Sequence, residues 1–212
     1  MKNLEDAGSE TIRELEEKNE VLLEAHKEIM LQLAKKYQEA QEASFDSLTG
    51  LMRRGPFEEE IKIRLADPEI KSVALIIFDI DHFKNVNDSY GHDIGDVVLK
   101  RVAAVIGSYI RGYDPTCRWG GEEMALAMIG ADEDQAELKA NFIREKIEQI
   151  DFSDIDRLKD FKITVSVGVA TSRKFPEFDQ LLNAADQALY ASKHSDRNKV
   201  TAYSKLPEVE VS

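Results

Sequence analysis

Three short runs of this sequence place polar groups where a divalent cation and a nucleotide could be handled. Phe78-Asp79-Ile80-Asp81-His82-Phe83-Lys84 ends an apolar stretch, residues 72–79 (SVALIIFD), with the length and composition of a buried strand. Asp79 closes that strand, so its carboxylate is expected where the strand meets a loop. The amides of residues 82–84 would open a short helix, a natural seat for phosphate, and Lys84 could meet a terminal phosphate. Arg118-Trp119-Gly120-Gly121-Glu122-Glu123-Met124 sets two acids beside two glycines. Glycines let the backbone turn tightly and approach a ligand, and carboxylates are the hard oxygen donors that Mg²⁺ takes. Asn87-Asp88-Ser89-Tyr90-Gly91-His92-Asp93-Ile94-Gly95-Asp96 carries groups able to read a guanine edge. A carboxylate accepts from the ring N–H and the exocyclic amine, while an amide both donates and accepts.

Each run also has a plainer reading. Either Asp of the D-x-D could cap a turn, the Gly-Gly-Glu-Glu run could be a charged hairpin tip, and Asn87 and Asp96 could serve a turn and a helix entry.

The elements that must position these groups can be read from periodicity. Residues 72–79, 122–129, 162–171 (KITVSVGVAT) and 199–203 are expected as strands. Helices are expected over residues 92–110, 133–149 and 179–194, and another starts at Gly55-Pro56, with Glu58, Glu59 and Glu60 at its positive end. The order βαββαβ, with further αβ elements, predicts an α/β (α+β) sandwich on a ferredoxin-like plan with a mainly antiparallel sheet. Residues 1–45 differ: no Pro, one Gly, and a dense mixture of Glu, Lys, Ala and Leu predict a long helix. Ile12, Leu15, Asn19, Leu22, His26, Ile29, Leu33, Lys36, Ala40 and Ala43 fit one heptad frame. Asn at an a position fixes a parallel dimer in register, so a coiled coil is expected. Leu23, Met30 and Tyr37 offer a second, overlapping frame that shares Asn19, His26, Leu33 and Ala40. The overlap is either a broad apolar stripe or a stalk with two accessible registers, differing by a rotation of roughly 50° per helix.

Composition narrows the chemistry. A net charge of −13 over 212 residues, with a pI near 4.8, excludes a sequence-independent grip on a nucleic-acid polymer, which needs surplus Lys and Arg. A single bound nucleotide remains compatible. Cys117 is the only cysteine, so no intrachain disulfide forms and a reducing cytoplasm is expected. The first residues lack the apolar core of a signal peptide, and no apolar run is long enough to span a membrane. An upstream sensor domain on a longer chain is compatible with all of this.

Taken together, Asp46-Ser47-Leu48-Thr49-Gly50-Leu51, the Asp79–Lys84 and Asn87–Asp96 runs, Gly120–Met124, residues 163–170 and Ala185-Asp186-Gln187-Ala188-Leu189-Tyr190 resemble the blocks of the GGDEF family of diguanylate cyclases. They occur in family order and cover about residues 44–203. The resemblance implies a coiled-coil helix over 1–45, a cyclase domain over 46–205 and a flexible tail over 206–212. It implies condensation of two GTP into cyclic di-GMP and two pyrophosphate across a twofold homodimer, with Mg²⁺ (or Mn²⁺) held by Asp79, the carbonyl of Ile80, Glu122 and Glu123. Glu122, with Glu123, is then the candidate for deprotonating the attacking 3′-hydroxyl. Phe83, Lys84, Asn87, His92, Asp96, Lys193 and Arg197 would bind GTP: Asn87 and Asp96 as guanine readers, His92 nearby, and Lys84, Lys193 and Arg197 on phosphate. Arg111-Gly112-Tyr113-Asp114 matches the R-x-x-D site at which the product cyclic di-GMP inhibits, with five residues between it and Gly120 as in the family.

Two positions depart from the family pattern. Met124 replaces a Phe at an expected core position, and Asp196 replaces a Gly beside Arg197, which bears on phosphate binding. A receptor that binds GTP or cyclic di-GMP without turnover is disfavoured by the intact acids. A dimerising scaffold would leave the acidic runs without purpose. Asp at position 96 favours GTP over ATP.

Overall fold

The computed structural model describes residues 2–159 and 161–207; the side chains of residues 2–12 and 14 lie outside the described set. Residue contacts divide the chain into two units, meeting between Ala43 and Ser44. Among the described residues no helix is long and apolar enough to cross a membrane. The expected tail over 206–212 falls from residue 208 onward outside the described residues.

The first unit is α1, Lys2–Ala43. Its surface carries the i,i+3 and i,i+4 pairs Arg13–Glu17, Lys27–Glu24 and Lys35–Glu39, each contributing a few tenths of a kcal/mol. Leu15, Leu22, Leu23, Ile29, Met30, Leu33 and Tyr37 are all exposed along it. Leu15, Leu22 and Ile29 belong to the first heptad frame, Leu23, Met30 and Tyr37 to the second, and Leu33 to both.

In the second unit the described residues build one six-stranded sheet. Its elements are β1 (Met52–Arg53), α2 (Arg54–Ala66), β2 (Val73–Ile80), α3 (Phe83–Tyr90), α4 (His92–Ser108), β3 (Thr116–Arg118), β4 (Glu123–Ile129), α5 (Glu133–Glu148), β5 (Val165–Thr171), α6 (Phe178–His194) and β6 (Val200–Ala202). The spatial order is β1-β3-β4-β2-β5-β6. β2 pairs antiparallel with both β4 and β5, and only the two outer pairings are parallel. The run β2-α3-α4-β3-β4-α5-β5 is the expected βαββαβ plan.

Every residue of β2 is buried, which is why it reads as an unbroken apolar run. Alternate residues face opposite layers. Ala74, Ile76, Phe78 and Ile80 pack with the α4–α5 side through Val98, Val102, Ile106 and Ile143. Val73, Leu75 and Ile77 pack with Phe57, Ile61, Leu181 and Leu189 of α2 and α6. Each such buried aliphatic contributes about 1.5–3 kcal/mol. On this second side α6 comes very close to the sheet: a Cβ at Gly168 would lie 2.2 Å from the Ala185 carbonyl oxygen and 2.4 Å from the Leu189 amide nitrogen.

Several expectations shift. The strand expected from residue 162 begins at Val165, because its partner β2 ends at Ile80, the residue opposite Val165. Pro56 does sit in the first turn of α2, but the acids lie beyond that turn. Glu58 and Glu60 instead pair with Arg54 and Arg64, each at 2.6 Å. β1 and β3 are too short to show a period. Met124 is fully buried in the α4–α5 layer.

Candidate active site

The sheet register puts Asp79 directly opposite Glu123. Directly paired residues project to one face with Cβ atoms about 5 Å apart, and alternation assigns Asp79 to the face covered by α6. From α6, Lys193 Nζ donates to Asp79 Oδ2 at 2.5 Å. The amide of Ile80 donates to the Glu122 carbonyl at 3.4 Å, so the second acid follows at the mouth of the same strand pair. Burial, and then the Asp79 charge, push Glu122 and Glu123 above the ordinary carboxylate range. Asp79 is likewise raised, by burial and by Asp81, against the opposing effect of Lys193 and Arg197.

The glycine turn is built around Glu123. Its carbonyl accepts from the amides of Trp119 (2.8 Å) and Gly120 (3.2 Å). A Cβ at Gly120 would lie 2.9 Å from Glu123 Oε2, whereas one at Gly121 would meet open space. Arg118 holds the tip: Nη2 donates to the Gly121 carbonyl at 2.8 Å, and Nη1 reaches Asp46 Oδ1 at 3.3 Å. Asp46 also accepts from the Thr49 amide (3.0 Å) and hydroxyl (2.7 Å). Arg54, at the start of α2, lies 4.1 Å over the Trp119 ring.

α3 begins after His82, whose φ of 57° turns the chain sharply out of the strand. Phe83 is buried and Lys84 exposed, so Phe83 packs as core. Asn87 and Gly95 meet across the α3–α4 angle: a Cβ at Gly95 would fall 2.0 Å from Asn87 Oδ1 and 3.2 Å from the Phe83 ring. Asp96 and His92 are exposed on the first turns of α4, while Asn87 is half-buried against Gly95.

Asp81 has a different place from Asp79. Its carboxylate is buried and accepts from Ser166 Oγ (2.7 Å), Thr164 Oγ1 (2.7 Å) and the Asn198 amide (3.1 Å). It therefore braces the loop after α6 that carries Arg197. That loop takes its left-handed turn at Arg197 (φ 53°) and Asn198 (φ 43°), not at Asp196. Replacing the family Gly at 196 thus incurs no conformational strain there.

The R-x-x-D residues lie on the α4–β3 connection. Arg111 Nη1 donates to the Tyr113 hydroxyl at 3.0 Å, and the Asp114 carboxylate is buried, accepting from the Ile129 amide at 3.0 Å. Arg111 opens onto a cavity shared with Gln135, Lys139 and Phe142. Only Arg111 of the pair lines that cavity.

Among the described residues no group of three or more His, Cys, Asp or Glu side chains forms a ready metal cage. The donor set still fits a divalent cation. Buried Asp79 and half-buried Glu123 face one another across two strands, and an ammonium group supplies the counter-charge at Asp79. Mg²⁺ is commonly held by one or two carboxylates together with substrate phosphates.

Sequence reasoning gave no role to Asp46, Arg118, Gly95, Asn198 or Arg144. Gly95, inside a helical pattern, carried a signal, since such a glycine costs about 1 kcal/mol and calls for a close contact. Arg118 reaches Asp46 over 72 positions and Arg144 reaches Asn198 over 54, contacts that leave no local trace.

Residues 43–199 match the family model described as diguanylate cyclase, GGDEF domain. Among curated proteins the chain is 36% identical over 156 residues to the probable diguanylate cyclase DgcT of Escherichia coli, covering 73% of this chain and 34% of that protein. It is 36% identical over 159 residues to the diguanylate cyclase DgcZ of Escherichia coli, covering 74% of this chain and 52% of DgcZ. The chain thus spans about half or less of those relatives. Among solved structures, the coiled coil and GGDEF domain of DgcB from Caulobacter crescentus, in complex with c-di-GMP, superposes with a TM-score of 0.78 at 31% identity, covering 85% of this chain and 96% of that one.

Proposed function

The chain belongs to the diguanylate cyclase GGDEF-domain family, and on that premise we propose that its domain over residues 46–205 condenses two GTP into cyclic di-GMP. The observation that carries this reading is the Asp79–Glu123 acid pair, held on adjacent strands and counter-charged by Lys193. In each half-reaction the 3′-oxygen of one GTP forms a bond to the α-phosphorus of the other. The bond from that phosphorus to the β-phosphate bridging oxygen breaks, and pyrophosphate leaves. The 3′-hydroxyl proton passes to Glu122, assisted by Glu123; their raised proton affinity suits a base.

Asp79, the Ile80 carbonyl, Glu122 and Glu123 would hold Mg²⁺, or Mn²⁺ in its place. The cation supplies charge neutralisation of the triphosphate and activation of the attacking oxygen. Lys193 then exchanges Asp79 for phosphate, and Lys84 and Arg197 flank it. Asn87 and Asp96 read guanine, with His92 at the rim and Phe83 as the packed floor.

One domain binds one GTP, so two copies must face each other about a twofold axis. The exposed stripe of α1 supports pairing with a second copy, and the DgcB structure includes a coiled coil beside its GGDEF domain. Pairing raises the effective concentration of one site near the other. Exchange between the two heptad frames would alter how often productive encounters occur. The product, cyclic di-GMP, inhibits through Arg111 and Asp114. Buried Cys117, its thiol pushed up to about 12 by burial, suits a reducing cytoplasm.

The test is nucleotide analysis after incubating the purified chain with GTP and Mg²⁺, beside Glu122→Gln. Cyclic di-GMP from the parent and none from a folded Glu122→Gln protein is expected. Equal turnover by both would overturn the site.

A further inference from the structure

Arg197 and Asn198 occupy the left-handed region in succession, with φ of 53° and 43°. For a non-glycine residue this costs about 1–2 kcal/mol, and Asn tolerates it better than Arg. A strained pair of this kind persists only where the surroundings fix it. Here they do so from two sides.

From the sheet, buried Asp81 accepts the Asn198 amide at 3.1 Å. From α5, Arg144 Nη1 donates to Asn198 Oδ1 at 2.7 Å, while Asn198 Nδ2 donates to Glu148 Oε1 at 3.1 Å. The same Arg144 nitrogen donates to Glu148 Oε2 at 3.0 Å, which closes a three-membered ring of contacts. The Arg144 side chain is only 14% exposed while that of Glu148 is 44% exposed, so the Arg144–Asn198 bond is the better shielded part of the ring and holds its geometry better than a surface pair does. Beyond the turn, the Lys199 carbonyl accepts the Val167 amide at 2.9 Å and returns the chain to the sheet.

A bare turn needs none of this. Glycine would take the left-handed conformation without strain, yet this loop uses an Asn whose side chain is bonded at both ends. The residue just before it is the one that matters: Arg197 sits on the same turn, near enough to Asp79 for its positive charge to act there. We propose that Asn198 is a positioning residue, which with Arg144 and Glu148 of α5 aims Arg197 at the nucleotide phosphates. The inference rests on the proposed role of Arg197 as a phosphate partner.

Asn198→Gly preserves the left-handed backbone and removes only the amide, so it separates positioning from turn geometry. Equilibrium binding of GTP and of guanosine would be measured for the parent, Asn198→Gly, Arg197→Ala and the double variant. GTP affinity is expected to fall roughly tenfold in Asn198→Gly, the size of one misplaced charge-assisted contact. Guanosine affinity should be unchanged, and Asn198→Gly should cause no further loss in the Arg197→Ala background. Arg144→Gln, on a separate element, should repeat the pattern and serves if Asn198→Gly does not fold. Unchanged GTP affinity in Asn198→Gly, a parallel loss of guanosine, or an additive loss in the double variant overturns the relay. If Arg197→Ala alone binds GTP like the parent, the phosphate reading of Arg197 falls, and the relay with it.

Discussion

Arg118 and Asp46, 72 positions apart in sequence, are joined by an ion pair at 3.3 Å whose guanidinium also grips the Gly121 carbonyl. The contact fastens the first residues of the catalytic unit to the turn that presents Glu122 and Glu123. Burial works against the Asp46 charge, but the Thr49 hydroxyl and amide, with Arg118, outweigh it and hold the carboxyl below its ordinary value. Asp46→Asn should lower cyclase turnover several-fold and stability by about 1 kcal/mol. Because the folded value is depressed, this stability is present above the ordinary carboxylate range and lost as pH falls through the folded value. Urea midpoints of parent and variant should therefore converge as the pH falls below the ordinary carboxylate value of about 4 and on through the lower folded value. A constant gap would exclude the carboxylate as the source.

The two glycines of the turn should respond differently. A methyl at Gly120 meets the Glu123 carboxylate, while one at Gly121 meets open space. Gly120→Ala should reduce turnover about tenfold, the scale of a displaced proton-transfer or metal-binding group, with little change in urea midpoint. Gly121→Ala should stay close to the parent in both measurements. Equal losses at the two positions would show that the Glu123 contact is not what the glycine protects.

Gly95→Ala tests the proposed guanine contact of Asn87 from behind. The added methyl must displace the Asn87 carboxamide or the Phe83 ring, at a cost of about 1–3 kcal/mol for an overpacked site. KM for GTP should rise, and the preference for GTP over ATP should narrow. A variant that is less stable yet keeps full selectivity would remove Asn87 from the guanine edge.

Arg111 and Asp114 should separate by function. Asp114 is buried against the Ile129 amide, so Asp114→Ala leaves that donor unsatisfied and costs about 1–3 kcal/mol. Arg111 is exposed, so Arg111→Ala should leave stability near the parent while raising the inhibition constant for cyclic di-GMP. An unchanged constant would reduce the motif to an exposed arginine on the Tyr113 hydroxyl and a loop brace.

What the sequence disclosed was local. The run ending in Asp79 announced a central strand because both its faces are buried, and the acids, glycines and amides sit together in short segments. What it concealed depends on partners far along the chain. Asp79 and Asp81 look equivalent in a D-x-D, yet one meets Lys193 of the overlying α6 and the other is consumed by Ser166, Thr164 and Asn198. Only the register decides that Glu123 stands opposite Asp79, and a register cannot be read from one strand. Arg144 and Asn198 are 54 positions apart, and neither lies in a segment whose pattern points to the other. β1 and β3 owe their strand character to their neighbours, since two or three residues carry no period.

The pinched contact at Gly168 has a mechanical consequence. α6 backbone lies so close to β5 that no side chain fits between them at this point. Asp79 and Glu123 are carried by the sheet and Lys193 by the helix, so the backbone mounts of acids and cation form one casting on which the side chains alone exchange partners. Under the proposed twofold pairing, control of such an object would act on how often two castings meet, and its kinetic trace would be a changed maximal rate at constant affinity for GTP.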